Sequence, residues 1–514
     1  MQIVKRHFLI ISILLLGAVL RLYRIGDYMT FLGDEGRDVL VVKHILEGDP
    51  TLLGPRASAG DFFLGPIYYY LMTPFLWLWG LDPVGPAIMV ALFGVATIFL
   101  VYYMGKKFFS VQTSLIAAFL YAISPLVIVY SRSSWNPNVM PFFTLFTMII
   151  LYKGIVQQKI NYFIVVGFLL GIIMQLHYLG TFVALIIALF TLIGSTLVIK
   201  KNWIVLIKQL VIRYAVIFIG FLIGFAPFLL FEIRNGFPNS QNIFKFIFNN
   251  TVEKEQIGAP YSEIVSDVFV RVFGRLLVNF PEPRHFELYD DTLLSVWTLG
   301  IIIFGAISIV LLLKMKDKVQ MSMIFTWLFV GILAFGLYKK PIYDYYFGFL
   351  FPIPFLLVGN LITSLYSVKK GFLLSKGAAV LLFGVILIPN IYFAPVQYEP
   401  NRQKGQVQGI SEFVLSQTGG KSFNFALITG GNSDHGYRYF FELNNRAPVT
   451  IENEIIDPER KTVTDQLLVI CEQECLPEGD SLWEVAGFGR GKVVEKWDVS
   501  VVKVYKLIHY TEKE

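Results

Sequence analysis

Charge is scarce in this chain. Lys, Arg, Asp and Glu make up 16% of its 514 residues, against about 25% in an ordinary soluble protein, and the mean hydropathy is +0.62. The shortage excludes a soluble globular protein, because it is concentrated in charge-free runs such as "FLIISILLLGAVL", "MVALFGVATIFLVYYM" and "YAVIFIGFLIGFAPFLLF". Such runs have the length and purity of membrane helices, which need roughly 20 apolar residues to cross the hydrocarbon. Cysteine is scarcer still. Cys471 and Cys475 are the only two, too few for a disulfide framework or a metal site. They are expected as free thiols, or as a local disulfide if their region faces an oxidising compartment. A dinucleotide loop is lacking as well, since "ITGGNSDHG" does not have the GxGxxG spacing. The formal charge of +6 is explained by its distribution over loops and implies no nucleic-acid partner.

Eleven candidate spans lie near 6–22, 84–104, 112–130, 138–152, 162–178, 181–199, 214–231, 293–313, 321–337, 346–366 and 372–394. The first is preceded by Lys5 and Arg6 like a signal peptide, but Arg21 and Arg24 follow it and a small-residue cleavage site is missing, so an uncleaved span is expected. A further apolar stretch, 62–80, contains Gly65, Pro66 and Pro74 and is rich in Tyr and Trp, which favour the membrane–water interface. If it lies at the interface without crossing, Lys5/Arg6, Lys106/Lys107, Lys153/Lys159, Lys200/Lys201/Lys208/Arg213, Lys314/Lys316/Lys318 and Lys369/Lys370/Lys376 all fall on the cytoplasmic side, as the positive-inside rule requires. The expectation is a multi-pass protein of the cell membrane, N-terminus cytoplasmic and C-terminus outside.

That topology places the unusual polar sequences on one outer face: "GDEGRD" (33–38) in a first loop over 23–83, "YSRSSWNPN" (130–138), "QLHYLG" (175–180), "FEIRNGFPN" (231–239) opening a long loop over 232–292, and "YKKPIYDYY" (338–346). After residue 397 the composition changes. Apolar strands "FNFALIT" and "QLLVICE", a helix opening at "NSDHGYRYFFEL" with Ser433 or Asp434 as N-cap, and a final strand pair read as a small α/β domain over 398–514.

The densest polar stretch is Asp34–Glu35–Gly36–Arg37–Asp38. Acids at 34 and 35 suit the first turn of a helix running to Glu47. Capping does not account for Arg37 and Asp38, which stand three and four residues from Asp34 and share its helix face. Near lipid, burial and adjacent negative charge raise a carboxylate's pKa and make it a stronger base, able to take a proton from a hydroxyl. Arg37 has the fork that suits a phosphate. Site and capping both remain open on these grounds.

The other stretches have plainer readings beside the functional ones. Arg132 and Asn136 lie among interfacial anchors, and His177 with Tyr178 ends a span as an ordinary interfacial pair. Glu232 and Arg234 could form a local ion pair. Lys339 and Lys340, beside Asp344 in an aromatic belt, run against the positive-inside bias, which points to an anionic partner such as a lipid phosphate.

A first span, then an outer loop with "DEGR" (34–37), then an interfacial "GPIYYYL" (65–71) resembles the GT-C glycosyltransferases. Within them the chain is most similar to the protein O-mannosyltransferase and lipid A aminoarabinose transferase branch, and "GKKFFSVQTSLIAAFLYAISPLVIVYSRSSWNPNVMPFF" (105–143) extends the resemblance, which covers roughly 1–240. It implies a GT-C membrane module over 1–397, a polyprenyl-phosphate sugar as donor, and a protein, glycan or lipid hydroxyl as acceptor. It further implies Asp34 as general base with Glu35 as its acidic neighbour, inversion at the anomeric carbon, and Arg37, Arg132, Lys339 and Lys340 as donor-phosphate ligands. Asn136, His177, Tyr178, Glu232, Arg234 and Asp344 are candidate substrate contacts. Asn136 stands where many relatives have an acid, so no metal cofactor is expected. "LGP" (64–66) replaces the Lys-Pro-Pro of the lipid A branch, and Lys339 or Lys340 is the substitute charge. A flippase for lipid-linked glycans is the competing reading, but ionisable residues within spans and internal repeats, its marks, are not evident. An inactive scaffold with an outer interaction domain is the third.

Overall fold

The computed structural model describes residues 2–57, 61–199, 202–248, 259–281, 289–338, 340–368 and 372–510. Lys339, Lys200, Lys201, Lys369, Lys370 and most of "NFPEPRHFE" lie outside the described residues. Two compact units are present. The first comprises Met1–Tyr23, Thr51–Leu71 and Ile88–Glu399; the second comprises Arg24–Pro50, Met72–Ala87 and Pro400–Glu514. The second unit thus takes in the acidic first-loop segment as well as the C-terminal domain.

The first unit is helical. Among the described residues, seven helices are long and apolar enough to cross a membrane: Val84–Phe108, Asn136–Gln157, Gly180–Val198, Trp203–Gly224, Asp291–Lys314, Lys318–Phe335 and Leu373–Gln397. An eighth span is possible if Asp344–Leu350 and Pro352–Tyr366, bent by 64°, count as one. The other expected spans are shorter apolar helices, His7–Leu22, Val111–Ile123 and Asn161–Leu176. The interfacial stretch forms only the 12-residue helix Ile67–Leu78, about 18 Å long at 1.5 Å per residue and too short to span.

Proline accounts for the main departures from the expected spans. The 112–130 span is two helices, Val111–Ile123 and Pro125–Tyr130. The 214–231 span starts earlier, at Trp203, and breaks before Ala226–Asn235. Pro125, Pro227 and Pro352 each sit in the first turn of the following helix, where their missing N–H is harmless. Arg213, expected in a cytoplasmic loop, is therefore mid-helix and buried, donating to Ser195 Oγ and Gln158 Oε1. Within the expected outer loop, Tyr261–Val270 and the π-turn Arg271–Arg275 bury Ile264, Val268, Val272 and Phe273.

Helices Asn161–Leu176 and Trp203–Gly224 pack at backbone contact. A Cβ on Gly167 would stand 1.9 Å from Ile217 O, and one on Gly220 would stand 2.1 Å from Ile164 O. Small residues four apart on both helices, Gly167/Gly171 and Gly220/Gly224, let apolar helices approach where lipid removes the hydrophobic drive.

The second unit carries a four-stranded sheet of order β1-β2-β4-β3, with β1 Asn424–Ile428, β2 Gln466–Cys471, β3 Gly491–Val499 and β4 Val502–His509. β1 and β2 are parallel and the other pairs antiparallel. β2 is buried along its whole length, which its unbroken apolar run dictates. The His435–Leu443 helix begins after Asp434, whose side chain pairs with Arg438 instead of capping. Helices Gln403–Gln417 and Trp483–Phe488 were not anticipated. Cys471 and Cys475 are disulfide-bonded, not free thiols; their Cα atoms lie 6.1 Å apart, within bridging range.

Candidate functional site

In the second unit the acidic motif opens the helix Gly33–Leu46. The residue before it, Leu32, has no oxygen to cap with, and Glu35 supplies half of a capping box by accepting the Leu32 N–H at 3.1 Å. Glu35 is 6% exposed. Burial, helped by neighbouring Asp34 and Asp38 and opposed by backbone hydrogen bonds, pushes its carboxyl up to about 7.

Arg37 lies between two acids. Nη1 donates to Asp34 Oδ1 at 2.8 Å, while Nε and Nη2 donate to Asp38 Oδ1 at 3.0 and 2.7 Å. Asp38 is fully buried, whereas the Asp34 side chain is 53% exposed. Asp38 therefore fixes the guanidinium, the guanidinium orients Asp34, and Asp34 is the acid of the three that is open to solvent.

The helix is held by the C-terminal part of its unit. Phe31 N–H donates to Gln403 Oε1 and Gly33 N–H to Asn432 Oδ1. Farther along, Lys43 and His44 both meet Glu442.

In the first unit the other polar stretches converge. Trp135 packs on Tyr345 at 4.3 Å between ring centroids, and His177 stacks on Tyr178 at 4.3 Å and meets Tyr346 at 5.1 Å. The Tyr178 hydroxyl bonds those of Tyr338 at 2.8 Å and Tyr346 at 2.9 Å. Asn136 is buried and donates to Leu176 O. His177 Nδ1 accepts the Leu179 N–H. Asp344 is engaged by two arginines that sequence reasoning missed: Arg271 at 2.6 Å and Arg275 at 3.0 Å. Arg271 also pairs with Asp267 and lies 4.7 Å over the Phe347 ring. Their only signal was four-residue spacing in an apolar segment, "RVFGR".

Four expected site residues stand apart from this cluster in role. Arg132 is 2% exposed and donates to Tyr23 O at 2.8 Å, a lock on the backbone. Glu232 does not pair with Arg234. It accepts from Asn239 and Ser240, capping the following helix Pro238–Phe248, and Arg234 is exposed. Lys340 is exposed as well. A cavity of about 890 Å³ opens among Phe108, Gln112, Lys314, Asn360 and Phe383, but none of these polar stretches lines it. Among the described residues, no three His, Cys, Asp or Glu side chains gather at metal-binding distance.

Residues 64–231 match the sequence model of the dolichyl-phosphate-mannose-protein mannosyltransferase family. A Bacillus subtilis protein named "Putative mannosyltransferase YycA" is 28% identical over 138 residues, 27% of this chain and 20% of that protein. The match thus spans about a fifth of the length of the curated relatives. In three dimensions the chain is similar to ArnT from Cupriavidus metallidurans bound to undecaprenyl phosphate, with a TM-score of 0.61 over 97% of both chains at 12% identity. It is also similar to the Archaeoglobus fulgidus oligosaccharyltransferase in the apo form, with a TM-score of 0.53 over 94% of this chain and 71% of that one at 14% identity. The chain has the GT-C glycosyltransferase fold that the resemblance implied, with apolar membrane helices, and the small C-terminal sheet domain expected from the strand pattern after residue 397.

Proposed function

We propose that the chain is an integral-membrane glycosyltransferase that moves a sugar from a polyprenyl-phosphate donor to a hydroxyl acceptor on the outer face of the cell membrane. The observation that carries this reading is Asp34, a solvent-reaching carboxylate held by Arg37 at the start of a helix in a GT-C fold. The donor class is supported by the structural likeness to ArnT bound to undecaprenyl phosphate.

Asp34 takes the proton from the acceptor hydroxyl as its oxygen attacks the anomeric carbon. The bond from that carbon to the phosphate oxygen breaks, polyprenyl phosphate leaves with the electron pair, and attack from the opposite face inverts the centre. Arg37 is spent on two acids, so its part is to orient Asp34; as a phosphate ligand it would have to release one of them. Lys340, exposed in the first unit, is a candidate cation for a lipid phosphate. Glu35, buried and bound to backbone, supports the turn and does not touch substrate.

Mass spectrometry of cell-surface glycans, glycoproteins and lipids from cells with and without this chain tests the reading. A glycoform lost with the chain and restored by its return is expected. Identical profiles, with movement of lipid-linked glycan across proteoliposomes, would establish a flippase instead.

A further inference from the structure

The first turn of the acidic helix is completed from outside its own sequence. Gly33 N–H is one of the donors that a helix start leaves without an intrahelical partner, and Leu32 before it has no acceptor side chain. Asn432 Oδ1 takes that role, accepting from Gly33 N–H at 2.8 Å and from Ser433 N–H at 2.9 Å. Asn432 Nδ2 donates to Glu472 Oε1 at 2.8 Å. The amide can face only one way: a carboxylate solely accepts, and the two N–H groups solely donate.

Glu472 is itself held. Its oxygens accept from the Tyr437 hydroxyl at 3.0 Å and the Thr429 hydroxyl at 2.7 Å. It also sits inside the short loop closed by the Cys471–Cys475 bridge, directly after β2. A rigid strand, a closed loop, a carboxylate and an amide thus run in sequence to the residue beside Asp34. Close approach leaves the helix little room to shift, since a Cβ on Gly33 would lie 2.0 Å from Ser433 Oγ.

We propose that Asn432, locked by Glu472, is a positioning residue that sets the direction of Asp34, and that the Cys471–Cys475 bridge holds Glu472 for this task. The C-terminal domain is then part of the transfer machinery and not an appended module. The geometric half of this inference stands alone; its effect on turnover rests on the reading of Asp34 as base.

The test uses the full chain in nanodiscs at pH 8, with amide hydrogen exchange read over residues 32–37. Asn432→Asp keeps an acceptor for Gly33 but sets two carboxylates face to face, and exchange there should quicken about tenfold while β2 amides stay slow. Adding Glu472→Gln to that variant should restore slow exchange, because the new side-chain amide can donate where Asn432 did. Reduction of the bridge should quicken the same amides. With a panel of undecaprenyl-phosphate sugars, kcat should fall at least tenfold in Asn432→Asp at unchanged KM, a scale consistent with small misplacement of a reacting group, and recover in the double variant. Unchanged exchange in Asn432→Asp, or no recovery in the double variant, overturns the proposal. If exchange responds as described but Asp34→Asn still transfers sugar, the positioning stands and the base assignment falls.

Discussion

Gly36 and Gly436 meet backbone to backbone: a methyl group on Gly36 would stand 2.3 Å from the Gly436 amide nitrogen. The relationship is not symmetric. A methyl on Gly436 finds its nearest neighbours at 3.5 Å and beyond, which is ordinary contact. Gly36→Ala should therefore destabilise the second unit by about 1–3 kcal/mol through overpacking. Gly436→Ala should be neutral or slightly stabilising, since alanine is favoured over glycine in a helix by up to about 1 kcal/mol. Thermal unfolding of the two variants side by side checks the asymmetry; equal midpoints would contradict it.

Glu35 ties stability to pH. Its carboxyl is pushed from 4.5 up to about 7 by burial, so between those values the folded chain holds a proton that the unfolded chain has lost. Stability contributed by this group is thus full at low pH and falls as pH rises through the window, by on the order of 3 kcal/mol. Glu35→Gln keeps an oxygen for the Leu32 N–H and removes the ionisation. Unfolding measured from pH 4.5 to 8 should lose that component of the slope, with the variant more stable than the parent at pH 8. A variant less stable at pH 8 would show that the charge itself is needed.

Asp344 shares two arginines, and the sharing has a measurable consequence. Arg275→Ala leaves Arg271 in place at 2.6 Å and should cost about 1–2 kcal/mol. Removing both arginines leaves a carboxylate 9% exposed, for which about 3–5 kcal/mol is expected. The double loss should exceed the sum of the single ones, as groups in one network couple. Strict additivity in a double-mutant cycle would rule out the shared site.

Much of this architecture is legible in the sequence because hydropathy is a property of long windows. Most of the spans, and the largely apolar strands "FNFALIT" and "QLLVICE", coincide with a helix or strand, while 112–130, 214–231 and 346–366 each divide between two helices. The breaks are less visible, because Pro125, Pro227 and Pro352 do not lower the hydropathy of the window around them. The acidic motif could be found by its charge. Its support could not, since Asn432 is 399 residues from Gly33 and reads locally as an ordinary turn. Arg271 and Arg275 escaped for the same reason: Asp344 is 73 and 69 residues away.

Steady-state transfer by Asp34→Asn tests the central claim most directly. Purified parent and variant would each be given a polyprenyl-phosphate sugar used by the parent, with release of polyprenyl phosphate followed by mass spectrometry. Loss of a base acting in the transition state should lower kcat by 10²–10⁴-fold, while donor binding and thermal stability stay near those of the parent, because the half-exposed side chain carries little packing. Turnover within a few-fold of the parent would contradict the assignment of Asp34 as the base.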